Sequence, residues 1–335
     1  MKDIKTWFLI ISDTHANQKI RLSTLQEAVD VAIHCGDLTD GSKIAEYHTT
    51  LNLLQTTNAP LKLVIAGNHD FTLDTPMHQK KAAEAHRLFS IDPALMNKEY
   101  GDFGDARKLF DTVNTSTHRG IIFLDEGIHR FDLANGASLT VYASPFTPSI
   151  EADWGFQYRR SESHDFNIIP TVDIVITHGP PKGVLDVTAS KRRGGCEQLF
   201  AAVAKAKPRL HCFGHIHEGW GAKAVAWRVD VGESPTHFSA IDNGASAVVE
   251  SLATLRPGRW DTPDTIAEKD ARLRSLNKKG YRHTSHCTGD EHPIIPGQST
   301  LFANAAIEPE SEGEGQQLPW IIDLELPALV RATAA

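Results

Sequence analysis

Five short apolar runs in this 335-residue chain each end in side chains that bind metals, and no other feature constrains the fold as tightly. Residues 7–12 lead into Asp13-Thr14-His15, and residues 31–35 into Gly36-Asp37-Leu38-Thr39-Asp40. Residues 61–66 lead into Gly67-Asn68-His69-Asp70. Residues 173–177 lead into His178-Gly179, and residues 210–213 into Gly214-His215-Ile216-His217. The runs are rich in Val, Ile, Leu and Phe and lack polar alternation, as strands buried on both faces do. In open α/β sheets, ligands gather beyond the carboxyl ends of the strands. A carboxylate or imidazole buried there is costly unless a cation pairs it. The neighbouring glycines allow tight turns.

Further runs at 120–124, 138–143 and 320–326 read as strands, the last as a closing one. Ile44, Tyr47, Leu51 and Leu54 share one helix face. Cys196, Leu199, Phe200 and Val203 give a second i, i+3, i+4, i+7 stripe. Residues 24–30 and 77–89 carry helix roles with no chemistry of their own. Strands interleaved with helices predict an α/β layered fold. We expect one catalytic domain over residues 1–335. It carries a polar insertion at about 228–298, in which only residues 245–252 are apolar enough to pack, and an acidic, mobile surface loop at 308–317.

Seven side chains stand out as candidate metal ligands: Asp13, His15, Asp37, Asn68, His178, His215 and His217. That number suffices for two cations if one carboxylate bridges them. Oxygen and nitrogen donors without thiolates suit Mn, Fe or Zn. One D-x-H or H-x-H alone is weak evidence; five such blocks in this order, each after an apolar run, are specific. The four cysteines show no CxxC spacing and read as reduced, mostly buried thiols. The net charge of −8 argues against a nucleic-acid partner. No run of 18 apolar residues is present, and the short apolar run after Lys2 and Lys5 is not a signal peptide, so the expected setting is the cytoplasm, away from membranes.

The blocks DTH, GDLTD, GNHD, THGPP and GHIH resemble the five-block signature of calcineurin-like metallophosphoesterases. With VIAGNHD, ASPFTPSIEADWGFQY, GGCEQLF and KPRLHCFGHIHEGWG, the chain is most similar to the metallophosphoesterase-domain-containing subfamily, some members of which resemble cyclic-nucleotide phosphodiesterases. The resemblance runs from about residue 7 to 221 and resumes near Leu301. It implies a four-layer α-β-β-α sandwich of two mixed sheets, with a dimetal site at strand carboxyl ends. It also implies that Asp13, His15 and His217 hold one metal, that Asn68, His178 and His215 hold the other, and that Asp37 bridges. His69 would face the substrate phosphate and Asp70 would orient its imidazole. The implied activity is hydrolysis of a small phosphate ester by a metal-activated hydroxide, cyclic nucleotides being the best named substrate.

Two rival activities of the same fold are phosphomonoesterase and nuclease. Gly41-Ser42 after Asp40, where protein phosphatases of the superfamily have Asp-Arg-Gly, and Leu38-Thr39, where purple acid phosphatases have Tyr, lower the first. A rival of another class is a metal-binding scaffold with little turnover. For the substrate, Trp154, Phe156 and Arg159 in the aromatic loop 144–160, and Trp220 after the last block, are candidates for stacking and phosphate contact. Lys191, Arg192 and Arg193 form a basic cluster. His283, His286, Cys287 and His292 crowd one stretch of the insertion, where we expect a surface loop rather than a third metal site. The oligomeric state is not legible in the sequence.

Overall fold

The computed structural model describes residues 3–20, 22, 27–113, 120–309 and 315–330. Part of the helical reading at 24–30 and the middle of the acidic loop lie outside them. Two sheets carry the molecule. Across the first, the strand order is Arg282–Ser285, Trp320–Leu326, Ile4–Ile11, Val31–His34, Leu61–Val64 and Ile121–Phe123. Across the second it is Ile241–Ser251, Gly221–Trp227, Ser299–Asn304, Leu210–Phe213, Ile174–Thr177, Ser138–Ser144 and Gly127–Asp132. Both are mixed. In the first, Ile4–Ile11 pairs parallel with Val31–His34 and antiparallel with Trp320–Leu326.

Three buried clusters define four layers. Phe8, Ile10, Val31, Ile33 and Leu63 from the first sheet meet Val141, Ile174, Ile176, Leu210 and Leu301 from the second. The opposite face of the first sheet, with Leu9, Ile11 and Val64, packs on Tyr47, Leu51 and Leu54 of helix Ile44–Gln55 and on Phe110. The opposite face of the second, with Tyr142, Val175 and Phe213, packs on Leu199, Phe200 and Val203 of helix Glu197–Ala206. Side chains alternate along a strand, so Phe8 and Ile10 enter the central core while Leu9 and Ile11 enter the outer one. That is why these strands read as unbroken apolar runs. The result is the α-β-β-α sandwich.

The insertion is more structured than its composition predicts. Strand Ile241–Ser251 extends one edge of the second sheet, and Arg282–Ser285 extends one edge of the first. Helix Pro263–Lys279 lies between them, with Thr262 as N-cap, Pro263 in its first turn and Gly280 as a left-handed C-cap. Its caps are legible, but none of its residues is fully buried, so the apolar stripe is too faint to read. Loop 144–160 holds a two-stranded parallel ribbon, Thr147–Ser149 with Gln157–Arg159. All four cysteines are buried and unpaired. Among the described residues no helix is long and apolar enough to cross a membrane.

Candidate metal centre

The five loops meet at one rim where the two sheets come together. The loop after Ile11 lies on the loop after His34: the amide of Asp13 donates to Gly36 O at 3.0 Å, that of His15 to Asp37 O at 3.2 Å, and that of Ala16 to Leu38 O at 2.9 Å. The two sheets are tied by Asp13, whose carboxylate accepts from the amide of His215 at 3.0 and 3.1 Å. Asp37 accepts from the amide of His69 at 2.8 Å. Asp13, His15, Asp37 and His215 all adopt left-handed backbone, with φ between 44° and 66°. Asp and His tolerate that region better than most residues, and such strain concentrates at functional sites.

The side chains gather into three overlapping donor groups: Asp13 with His15 and His217, His15 with Asp37 and His69, and Asp37 with His178 and His215. Asp37 Oδ2 lies 3.2 Å from His178 Nε2 and 3.9 Å from His15 Nε2. Asp13 Oδ1 lies 3.4 Å from His217 Nε2, and Asn68 Oδ1 lies 3.0 Å from His178 Nε2. Asp13, Asp37 and His178 are essentially inaccessible to solvent. Two imidazoles are aimed by backbone carbonyls. His15 Nδ1 donates to Thr39 O at 3.1 Å and His178 Nδ1 to Cys35 O at 2.9 Å, leaving each Nε2 facing inward. Orientation through the second ring nitrogen is how metal-binding histidines are commonly held.

Electrostatics follow from crowding anions and imidazoles in a dry pocket. Burial alone raises both carboxylates. The imidazoles outweigh it, His178 foremost at Asp37 and His217 at Asp13, and hold both well below the usual carboxylate range. Burial lowers His178 and His217, but Asp37 and Asp13 respectively overcome it and raise each to about 9. His215 is lowered to about 4 by burial and by neighbouring His178. Three ionisable groups, Asp13, Asp37 and His178, therefore hold charge where water cannot reach, and His217 holds it at the half-buried edge. The nitrogen and oxygen donors and the orphaned, buried Nε2 of His15 fit divalent cations.

The structure also corrects the sequence reading. Asp70 does not orient His69. Its carboxylate points away and accepts from the amides of Leu38, Thr39 and Gly67 at 2.8 to 3.1 Å and from the Thr39 hydroxyl at 2.7 Å. It braces the loop that carries Asp37, and burial with the nearby Asp37 charge raises it to about 6. The His69 ring is instead held by Asp40, whose carbonyl accepts from Nδ1 at 2.6 Å.

Trp220 is 1% exposed, stacks on Trp320 and donates its indole N–H to Leu318 O, so it is a core residue that no substrate can touch. Trp154 is 36% exposed and lies 4.6 Å from the His69 ring, beside the cluster. Phe156 packs on Phe146, and its amide donates to Asp74, which fixes the loop. Arg159 is exposed at the end of the ribbon, with no described contact to the cluster. Arg193 is committed to the buried Asp186 carboxylate at 2.6 Å. In the insertion, His283 pairs with Asp323 and His286 donates to His292 O; no group of three donors gathers there among the described residues.

Two residues escaped the sequence reading. Lys81 Nζ sits 4.6 Å from the Trp154 ring centre. Glu308 Oε2 approaches His15 Nε2 at 3.0 Å. Neither belongs to a block; only a carboxylate soon after the strand ending at Asn304 hinted at the second.

A family model described as calcineurin-like phosphoesterase matches residues 6–219. Human metallophosphoesterase domain-containing protein 1 is 34% identical over 229 residues, which cover 65% of this chain and 63% of that protein. The probable rhamnogalacturonate lyase C of Emericella nidulans is 33% identical over 220 residues, covering 65% of this chain but 18% of that protein. The chain thus spans less than two thirds of either relative. A purple acid phosphatase from yellow lupin seeds aligns over 99% of this chain and 47% of its own length, at 10% identity and a TM-score of 0.38, a likeness too slight to argue from. With a family match that takes in all five blocks of candidate ligands, the chain belongs to the calcineurin-like phosphoesterase family.

Proposed function

We propose that this phosphoesterase is a dimetal-dependent phosphodiesterase acting on small substrates such as cyclic nucleotides. One observation carries the reading: a single oxygen of Asp37 stands within 4 Å of imidazoles from two different donor groups, as a bridging carboxylate must. Asp13, His15 and His217 would hold one cation, Asn68, His178 and His215 the other, and Asp37 both. Bound Mn, Fe or Zn ions supply an activated water and neutralise charge on the phosphate.

The chain's own residues do the rest. His69, at the open edge of the cluster, meets a phosphate oxygen and hands a proton to the leaving oxygen. Asp40 O fixes its ring through Nδ1. Asp70 keeps the Asp37 loop rigid. Trp154 offers a partly exposed aromatic face beside His69, which supports a flat substituent such as a base on the ester. Lys81, next to that ring, favours an anionic ligand. Four unpaired thiols suit a reducing compartment such as the cytoplasm.

A substrate panel tests this directly. Metal-loaded protein should cleave bis(p-nitrophenyl) phosphate and at least one 3′,5′- or 2′,3′-cyclic nucleotide faster than p-nitrophenyl phosphate. Asp37→Ala should abolish both metal retention and turnover. Faster cleavage of the monoester would replace the diesterase reading, and no cleavage of any ester by loaded protein would leave a metal-binding scaffold.

A further inference from the structure

Glu308, a few residues after the strand Ser299–Asn304, reaches the candidate metal cluster. Its carboxylate places Oε2 3.0 Å from His15 Nε2. His15 Nδ1 already donates to the Thr39 carbonyl, so Nε2 presents a lone pair in the neutral ring. A carboxylate oxygen at that distance from a lone pair is repelled unless something positive lies between them. The contact is also not a well-directed hydrogen bond, since Nε2 is a buried atom left without a hydrogen-bond partner. Two ligand atoms sharing one cation behave this way. With bonds of about 2.1 Å, adjacent ligands of a six-coordinate ion lie about 3.0 Å apart without pointing at each other.

The position of Glu308 is built into the fold. Ala305 N donates to Phe213 O, and Ile307 N donates to Ser12 O, just ahead of Asp13. Beyond the loop, Gln317 N returns to Ile307 O, and Gln317 Nε2 donates to the His217 carbonyl at 3.1 Å. The base of the loop is thus tied to the two segments that carry Asp13, His15 and His217. Glu308 itself stands outside the tight trio, with a side chain 43% exposed, on the open side of His15.

We infer that Glu308 is an additional, exchangeable carboxylate ligand of the cation held by Asp13, His15 and His217, and that it selects an ion of high coordination number. A second carboxylate and an expanded shell suit Mn2+ or Fe2+ better than tetrahedral Zn2+. The inference rests on the dimetal reading above and is separable from it. Mn2+ and Zn2+ affinities are measured by competition against a chelator in wild type, Glu308→Gln and Glu308→Ala, with the electron paramagnetic resonance spectrum of bound Mn2+ as a second readout. Both variants should weaken one of two Mn2+ sites by about 10-fold or more, change Zn2+ affinity less, and alter the Mn2+ spectrum, with urea unfolding of the metal-free protein unchanged. Wild-type Mn2+ affinity and spectrum in both variants, or tighter binding, overturn the role of Glu308 while leaving the dimetal reading intact. A wild-type protein that retains neither cation overturns both.

Discussion

Gly67 lies between the strand Leu61–Val64 and Asn68, and a methyl group there has no room. A Cβ would overlap Asp37 Oδ1 and the Asp37 amide nitrogen and come within 2.7 Å of His178 Cε1. No unusual φ is involved, so Gly67→Ala tests crowding alone. Asp37 would have to retreat by about 1 Å to restore ordinary contact near 3.5 Å. The retreat breaks the bond from the His69 amide at 2.8 Å and pulls Asp37 from His178, now 3.2 Å away. Losing a charge-assisted hydrogen bond costs about 1.5–3 kcal/mol, and overpacking a dense interior about 1–3 kcal/mol. The metal-free variant should therefore lose about 2.5–6 kcal/mol in urea unfolding. Metal sites tolerate errors of only about 0.2 Å, so uptake of both cations should fall together. Gly244→Ala is the control, because its Cβ meets only Asp242 Oδ1, at 3.4 Å. If Gly67→Ala takes up two equivalents of Mn2+ with wild-type affinity, Asp37 is not the shared ligand.

Other perturbations probe the same architecture. His34 and His211, wholly buried, are pushed down to about 3 by burial, and His215 to about 4. Each is neutral in both folded and unfolded states above pH 6.5; below it the unfolded chain takes up protons that the folded one refuses. The metal-free protein should thus lose up to about 1.4 kcal/mol per pH unit for each of them as pH falls from 6.5 toward 4. His211→Phe should reduce that slope by up to about 1.4 kcal/mol per pH unit in urea titrations, and an unchanged slope would remove His211 as a source. His178 and His217 have the opposite sign: raised to about 9, their contribution is complete below pH 6.5 and lost as pH rises through 9. Cation binding at pH 7 should then release about two protons, read as a buffer-dependent heat in calorimetry; a buffer-independent heat contradicts it. Trp154→Ala should raise KM for an aromatic diester by the equivalent of about 1–3 kcal/mol, with kcat little changed; equal KM values would mean the ring is not a stacking platform. His69→Ala should retain both metals and lose about 10²–10⁴ in kcat, whereas loss of metal would make His69 a ligand.

Much of this site is written locally in the sequence. A strand buried on both faces is a continuous apolar run, and the second residue after its last apolar position is the one at the rim. So Asp13, Asp37, Asn68, His178 and His215 are found by reading to the end of each run. Direction is what such reading cannot supply. Asp70 adjoins His69 in sequence, but the turn at Gly67 folds its carboxylate onto the Asp37 loop. Trp220 follows the last histidine pair, yet it points into the core to stack on a tryptophan 100 residues later. Strands such as Gly221–Trp227 and Ser299–Asn304 are hidden because small and polar residues dilute them, although long-range pairing places Ser299–Asn304 beside Leu210–Phe213 and Gly221–Trp227 beside Ser299–Asn304. Glu308 is hidden for the same reason: only the bridge between Ser12 and Ala306 brings it to His15.

The glycines and the strained candidate ligands are two sides of one requirement. Asp13, His15, Asp37 and His215 each hold positive φ, at roughly 1–3 kcal/mol apiece. That conformation turns the chain sharply at the strand end, so that a ligand side chain folds back toward its neighbours instead of continuing into solvent. Folding back consumes space on the adjoining loop. A Cβ at Gly36 would lie 2.7 Å from His178 Nδ1, and one at Gly214 would overlap Asp13 and Ser12. Three of the glycines beside the blocks are therefore the space into which another block's candidate ligand turns. Gly36 makes room for His178, Gly67 for Asp37 and Gly214 for Asp13, so replacing any one by alanine should disturb a ligand on a different strand. Were Gly214→Ala to leave Asp13-dependent metal binding untouched, this coupling between blocks would be wrong, and the five motifs would be independent turns that happen to meet.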